Sequence, residues 1–296
     1  MAEETRQIDA SIRKFLGSLL EDSSESTSLQ WLQKAKDSIE SDPISFSFFT
    51  TFSTAIRYFP HQPLMLRTGR DAEARSLVPG WNLKRWTYDQ AARAVLILSL
   101  PLRGERLAEL LRQAFGSAEA NEAVALGKAL PLLPDGRYHT ALARLGCRSN
   151  AQPIFESIAH WNAFPSRHFE EESWNQMILK ALFIQVPLRH IVGLDARANA
   201  KLVPMLLDFA TERKKAKRTF SPELFRLVIP WYNEAIATRV AALVQHGTRK
   251  ERLGAALSFQ ETSWAEKARM MDRFSDEIEI LSAHSITWET IDAHHE

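Results

Sequence analysis

Cysteine is almost absent from this 296-residue chain, which contains only Cys147. A single thiol can form neither an internal disulfide nor a thiolate metal cage, and it fits a reducing compartment. An excess of charge of one sign is missing too, because 37 lysines and arginines are balanced by 36 aspartates and glutamates. A formal net charge of +1 gives no general attraction to nucleic acid or anionic lipid, so we expect no nucleic-acid partner.

Long apolar runs are also lacking. The longest, residues 94–102, is interrupted by Ser99 and Pro101, whereas a helix that spans a bilayer needs about 20 apolar residues. Residues 1–4 read MAEE, and a secretory signal would instead begin with a basic segment followed by an apolar one. We therefore expect no transmembrane segment and a cytoplasmic location.

The chain has few glycines, 11 in all, and no sustained alternation of apolar and polar residues between hairpin turn signals. The dominant period is helical instead. Apolar residues recur with the i, i+3, i+4, i+7 spacing of a one-sided helix in residues 88–96, 107–115, 154–159 and 236–244. The sequence therefore predicts an all-α protein.

Proline and glycine divide the middle of the chain into helical runs of about 12–16 residues. Short helices with short connections pack antiparallel to their neighbours. We therefore expect a single all-α domain over residues 1–296, built of stacked antiparallel helices as a curved α-α array or a HEAT-like helical solenoid.

One long stretch, residues 60–85, resists the helical interpretation because prolines and glycines interrupt it, with a short helix predicted only around residues 71–77. Loops of this length in compact domains are functional covers or linkers. Trp81 and Trp86 favour an ordered loop anchored by the two indole rings and resistant to proteolysis. A plain surface connector is the alternative.

A first polar helix is predicted over residues 170–186. Its apolar stripe includes Trp174, which we expect to be buried, and Asn175 and Gln176 should bond to neighbouring helices. Lys180 stands out among apolar helical neighbours, so it must extend to solvent, pair with a carboxylate or face a cavity.

The next segment opens with residues 193–199, which read GLDARAN. Asp195 is a plausible N-cap for the following helix, and a ligand contact is its alternative; Asn199 is less suited to capping. The helix predicted over residues 197–217 contains Pro204, which should kink it or split off its first turns.

That helix carries Asp208 and Glu212 one turn apart and ends in a basic run, residues 213–218. The basic run complements the helix dipole, which is a sufficient structural reason for it. A phosphate or nucleic-acid patch is the sharper alternative, but the two acids interrupt the positive field and no aromatic residues interleave.

Polar residues from these successive segments are expected to converge on one cavity that binds a polyol or a phosphorylated ligand. Lys180 and Asp208 should face each other there, either around a ligand or as a closed ion pair. Arg213 and Arg226 should complete the lining, with Asp195 and Asn199 at the mouth. The candidate ligand-binding residues are Asn162, Trp174, Asn175, Gln176, Lys180, Asp195, Arg197, Asn199, Asp208, Glu212, Arg213 and Arg226.

Other chemistries lack their motifs. The nine histidines include no His-Glu-x-x-His and no pair four residues apart on a helix, so no metal site is expected. A phosphate-binding loop, a dinucleotide glycine fingerprint and a nucleophile elbow are also missing, and we expect no cofactor.

Six segments resemble the EboA family in order and spacing. Residues 174–183, WNQMILKALF, are similar to its signature helix. The other matching segments are residues 86–93 (WTYDQAAR), 130–134 (LPLLP), 162–165 (NAFP), 193–199 (GLDARAN) and 221–226 (SPELFR). The resemblance covers roughly residues 30–235.

The resemblance implies a place in a bacterial and algal gene cluster that is implicated in making or exporting a secondary metabolite. We expect an accessory or ligand-binding protein that handles a polar cyclitol-like or prenylated intermediate, with other proteins of the cluster as further partners. One alternative is an enzyme that uses Lys180 with Asp208 or Glu212 for acid/base chemistry. The other is a helical scaffold that docks the cluster's enzymes.

Overall fold

A computed structural model of the chain describes residues 2–22, 24–42 and 46–291. These residues form α-helices joined by short 3-10 helices, and their only β-type contact is a single bridge between Pro63 and Thr87. The predicted all-α class is confirmed. In this part of the chain, no helix combines the length and apolar character needed to cross a bilayer.

The helices group into two compact units, one ending at Glu170 and the other beginning at Glu171. The single domain over residues 1–296 and the HEAT-like array both stay predictions. The helices of the first unit are α1 (Ala2–Glu21), α2 (Ser26–Ser41), α3 (Phe46–Thr54), α4 (Arg70–Leu77), α5 (Tyr88–Ser99), α6 (Gly104–Ser117), α7 (Ala120–Ala129), α8 (Thr140–Arg148), α9 (Gln152–Ala159) and α10 (Phe164–His168).

Helix α5 is the centre of the first unit. Every residue from Tyr88 to Ser99 is buried, and the helix packs against α1, α2 and α7. A capping box starts it, in which the Gln90 side chain accepts a hydrogen bond from the Thr87 N–H at 3.2 Å. This cap fixes the direction of the Gln90 side chain, which contributes to the site described below.

Helices α7 and α9 pack closely at Gly127. A Cβ at this position would lie 2.1 Å from the Ser157 hydroxyl oxygen. Only glycine permits this approach, because contacts between real Cβ atoms and their neighbours do not fall below about 3 Å. The contact places the end of α7 beside the segment that follows α9.

The long loop over residues 60–85 is anchored as predicted. Trp81 and Trp86 are both buried, and their rings meet edge to face with centroids 5.8 Å apart. The Leu64 N–H donates to the Trp86 carbonyl at 2.9 Å, and α4 falls where the sequence allows a short helix. Its resistance to proteolysis stays a prediction.

The second unit is built around α14, which packs against α13, α15, α16 and a 3-10 helix over Pro222–Leu227. The sequence correctly places a serine cap there, since Ser221 accepts from the Glu223 N–H at 3.3 Å, but the element is a 3-10 helix. The helices of the second unit are α11 (Glu171–Phe183), α12 (Leu202–Lys215), α13 (Glu234–Val244), α14 (Arg249–Glu261), α15 (Ala268–Arg273) and α16 (Ser275–Ala283).

Pro204 splits its helix as the sequence predicts. Helix α12 begins at Leu202, so the proline lies in the first turn, where its missing N–H costs no helical hydrogen bond. The preceding Asp195–Arg197 forms a separate 3-10 turn. The predicted capping is wrong, however, because Asn199 and not Asp195 accepts a hydrogen bond from the Leu202 N–H, at 3.0 Å.

Candidate functional site

A cavity of about 170 Å³ lies within the first unit. A single water needs only about 10–15 Å³ of such volume, so the space can hold a small molecule. The cavity lies beside the start of α5, the end of α7 and the segment that follows α9. We call it the tryptophan cavity; its lining consists of Trp81, Asn82, Arg85, Trp86, Val124, Lys128, Pro131, Pro153, Glu156, Ser157, His160, Trp161 and Asn162.

Three indole rings form the aromatic part of the lining. Trp81 is 2% exposed, and its Nε1–H has no hydrogen-bond partner among the described residues. A buried donor without a partner carries a desolvation cost, which the packing of this wall must offset. Trp86 is buried beside it, and Trp161 is half-buried.

Trp161 has an unusual backbone conformation. Its φ of +49° lies in the left-handed region, which bulky residues rarely adopt. The guanidinium of Arg85 lies 3.8 Å from the centre of its ring, a close cation–π contact. The strained backbone therefore places this ring under a cation at the cavity.

Lys128 is the second cation of the cavity. Its Nζ donates to the backbone carbonyl of Arg85 and, at 2.7 Å, to Oε1 of Gln90. The pKa of Lys128 is lowered to about 8, mainly by burial and with a smaller contribution from the charge of Arg85, while the charge of Asp89 opposes the shift. With this pKa, Lys128 is mainly ammonium at neutral pH, and a minor fraction is neutral amine.

Asp89 lies behind this wall, fully buried on α5. Its carboxylate forms an ion pair with Arg93, which is also buried, and accepts from the Thr87 hydroxyl at 2.5 Å. His61 Nδ1 lies 3.0 Å from the same carboxylate. The negative charge of Asp89 is therefore held by its own partners, and neither Arg85 nor Lys128 has a carboxylate within ion-pair distance among the described residues.

Asn162 holds the segment after α9 in place. Its amide nitrogen donates to the carbonyls of Gly127 (3.0 Å) and Ser157 (2.9 Å). Its amide oxygen accepts from the Phe164 N–H at 2.9 Å. With these bonds the side chain positions the cavity wall, and the close packing at Gly127 is part of the same arrangement.

The second unit contains a separate polar cluster, formed by Trp174, Asn175, Asp195, Arg197, Asn199 and Arg226. Asn175 and Asn199 exchange hydrogen bonds of 3.3 and 2.8 Å between their amide groups. The Arg197 guanidinium lies 4.9 Å from the Trp174 ring centre. Trp174 itself is fully buried, as the sequence predicts.

Arg226 and Asp195 form the charged part of the polar cluster. Two guanidinium nitrogens of Arg226 donate to the two carboxylate oxygens at 2.6 Å each, and Glu289 lies 3.4 Å away. Three residues before Arg226, the buried Glu223 accepts hydrogen bonds from the backbone N–H groups of Leu188 and Arg189 at 2.6 and 3.0 Å. These contacts tie loops together.

The family model of EboA, described as "metabolite traffic protein EboA", matches residues 12–229. The chain belongs to the EboA family. No match was found among curated proteins or among solved structures.

The EboA-like segments quoted from the sequence gather at the two places just described. In the first unit, residues 86–93, 130–134 and 162–165 contribute to the tryptophan cavity or to the bonds that support it. In the second unit, residues 193–199 and 221–226 meet in the polar cluster. The EboA-like segments of the first unit thus border or support the tryptophan cavity, and those of the second unit form the closed contacts of the polar cluster.

The structure brings together only half of the ligand residues that the sequence places in one cavity. Six form the polar cluster, and Asn162 lies in the other unit. Asp208 bonds to Arg239 at 2.5 Å, so the acid expected opposite Lys180 has another partner, and Lys180 is half-buried. Glu212 pairs with Lys215, Arg213 donates to the carbonyl of Thr219, and Gln176 is exposed.

The basic run after α12 borders a wide depression of about 750 Å³ in the second unit. Lys214 and Lys215 are already paired there with Glu251 and Glu212. Much of the local charge is therefore neutralised within the protein. Dipole complementation and a phosphate or nucleic-acid patch both stay predictions for the rest of the run.

Sequence reasoning missed Arg85, Lys128 and Trp161. One signal was available, because Lys128 stands in the apolar run VALGKAL, residues 124–130, much as Lys180 does in its own helix. Residues 85 and 161 belong to connections between helices, where no periodicity indicates which way a side chain points.

Proposed function

We propose that this EboA protein binds a small intermediate of a secondary-metabolite pathway in the tryptophan cavity and acts there as an accessory, ligand-handling protein. The observation that carries the proposal is the pairing of Arg85 with Trp161 at the cavity, a cation held on an aromatic face with no carboxylate partner among the residues that the structure describes. The proposed ligand has a flat or ring-shaped body and a negatively charged group.

The lining supports each half of that description. Tryptophan faces bind rings and apolar chains, and two nearby cations favour an anionic group such as a carboxylate or phosphate. Asn82 and Glu156 add polar groups suited to hydroxyls. A phosphorylated or carboxylated cyclitol-like compound and a prenylated one both fit this chemistry.

The two alternatives now rest on different residues. An enzyme built on Lys180 with Asp208 has lost the support of a shared pair, because Asp208 bonds to Arg239. A scaffold would need no cavity, and its function would not depend on Arg85. We therefore favour ligand binding over both.

The test is calorimetry on the full chain at pH 7 with three probes: 2-naphthoate, myo-inositol 1-phosphate and geranyl diphosphate. We expect at least one to bind, and its affinity to fall about tenfold or more in Arg85→Met, since a charge-assisted contact contributes about 1.5 kcal/mol or more. Arg106→Met, which removes an exposed arginine of α6 outside the cavity lining, is the matched control and should bind as the wild type does.

A second variant, Trp161→Gly, removes the indole while suiting the left-handed backbone. It should therefore remain folded and still bind the probe at least about tenfold more weakly. Binding of no probe, or equal binding by all variants, would overturn the proposal. In cells that make the cluster's metabolite, both cavity variants should lose output, whereas a scaffold would keep it.

A further inference from the structure

We propose that Lys128 is a carbonyl-capturing residue, whose amine forms a reversible imine with an aldehyde or ketone ligand in the tryptophan cavity. This inference rests on the proposed function, because it names the chemical class of ligand that the same cavity takes. It assigns a covalent role to a side chain that so far serves only as a cation.

The hydrogen bonds of Lys128 leave its lone pair available. A neutral amine has two N–H donors and one lone pair. Its nitrogen has two acceptors, the backbone carbonyl of Arg85 and Oε1 of Gln90, and both are uncharged. In the amine form these two groups use both donors, so the lone pair remains for a carbonyl carbon that enters the cavity.

Burial favours the amine form of Lys128, although the charge of Asp89 acts against it. No carboxylate pairs with its Nζ among the described residues, and the buried Asp89 is bound to Arg93 and His61. Arg85 brings a positive charge to the same cavity, while Glu156 and His160 complete the titratable groups of the lining. Burial beside another cation is how lysines become nucleophilic at neutral pH.

The supporting wall holds the amine in position. Gln90 is fixed by its capping bond to Thr87, and Arg85 follows Leu83 in a short 3-10 turn between two buried tryptophans. A nucleophile held on rigid elements loses little freedom when it reacts. Position and protonation state therefore favour the same reaction.

The chemistry is balanced without any oxidant or reductant. The Nζ lone pair attacks the carbonyl carbon, and the carbonyl electrons move to its oxygen. A proton passes from nitrogen to that oxygen, giving a carbinolamine, which loses water as the nitrogen lone pair forms the C=N bond. Both amine hydrogens leave in the water, and addition of water reverses the sequence.

The experiment treats the full chain with 2-naphthaldehyde and sodium cyanoborohydride at pH 7, and locates the reduced adduct by peptide mass spectrometry. Lys201 and Lys215 serve as internal controls, because their bonds to Glu171 and Glu212 raise the pKa of each lysine. We expect Lys128 to be labelled about tenfold faster or more, since the unprotonated amine is the reactive form.

Gln90→Glu is the decisive variant. Glutamate at this position preserves the capping box but places a carboxylate against Lys128, which should hold the ammonium form. Labelling of Lys128 should fall at least about tenfold while the protein stays folded. Gln113→Glu, an exposed change on α6, should label as the wild type does.

The outcomes separate this inference from the proposed function. Selective labelling of Lys128 that Gln90→Glu suppresses supports it. If 2-naphthoate binds with Arg85 dependence but Lys128 is labelled no faster than Lys201, the cavity binds ligands and the carbonyl inference is wrong. If neither probe reacts or binds, both proposals are wrong.

Discussion

The tryptophan cavity and the polar cluster use the same kinds of side chain in opposite ways. Each contains tryptophan, arginine and asparagine. In the polar cluster the Arg226 guanidinium is bound by Asp195 and the two asparagines bind each other. In the cavity, Arg85 lies on an indole ring, and within the described part of the chain no carboxylate neutralises its charge.

The two places differ in the partners of their buried acidic side chains. Glu223 in the second unit accepts two backbone N–H groups and thereby fixes a loop. Asp89 in the first unit is held behind the wall by Arg93. Because the buried Asp89 pairs with Arg93, the cations of the cavity can interact with a ligand. In the polar cluster, the acids already pair with the cation.

Removing Asp89 should have the largest effect on this arrangement. Asp89→Ala leaves the buried Arg93 charge without its partner, which should cost about 3–5 kcal/mol of unfolding free energy. Urea denaturation followed by tryptophan fluorescence measures it. Asp89→Ala combined with Arg93→Met should recover most of the loss; a double variant as unstable as the single one would show that the ion pair is not the cause.

The sequence predicts structural features well when the residues involved are close together in the chain, and poorly when they are far apart in it. The stripes over 88–96, 107–115 and 154–159 correspond to α5, α6 and α9, because helical periodicity is a local property. Trp174 is likewise buried as its stripe predicts.

The site could not be predicted in the same way. The bond between Lys128 and Gln90 joins residues 38 positions apart, and it depends on how α7 packs against α5. The partner predicted for Lys180 was wrong for a similar reason. Which face of α12 meets which neighbour is decided by packing, and α13 supplies Arg239 to Asp208.

Substituting one tightly packed glycine in each unit allows the two units to be compared. Gly127→Ala and Gly254→Ala each place a Cβ too close to a neighbour, Ser157 Oγ at 2.1 Å and Pro222 Cβ at 2.5 Å. Overpacking of this kind should cost about 1–3 kcal/mol in either unit. Only Gly127→Ala should also weaken 2-naphthoate binding by calorimetry, because Ser157 lines the cavity. Equal affinities in the two variants would contradict this difference.

The titration of Lys128 should make both ligand affinity and protein stability depend on pH. As pH rises through about 8 the ammonium loses its proton, so 2-naphthoate affinity should fall by up to about tenfold. Stability should change in the opposite direction. An unfolded lysine keeps its proton to about pH 10.4, so the unfolded state binds more protons between about 8 and 10.4, and the folded state gains stability across that window.

Calorimetry and urea denaturation across pH 7–10 test both trends. Lys128→Met should flatten the two profiles, since it removes the titrating group. Lys201→Met is the control. It should leave both profiles unchanged, because this lysine is exposed and lies outside the cavity. A profile that survives Lys128→Met would assign the pH dependence to another residue.

The smallest effect is expected at Arg226, where the sequence places a ligand contact. Its partners Asp195 and Glu289 are more than half exposed, so water can solvate them when the guanidinium is removed. Arg226→Met should therefore change the unfolding free energy by no more than about 1 kcal/mol, and 2-naphthoate affinity should stay at the wild-type value. If Arg226→Met instead abolished probe binding while the protein remained folded, the ligand site would lie in the polar cluster. The closed contacts there would then have to open for the ligand, and the tryptophan cavity would not be the site.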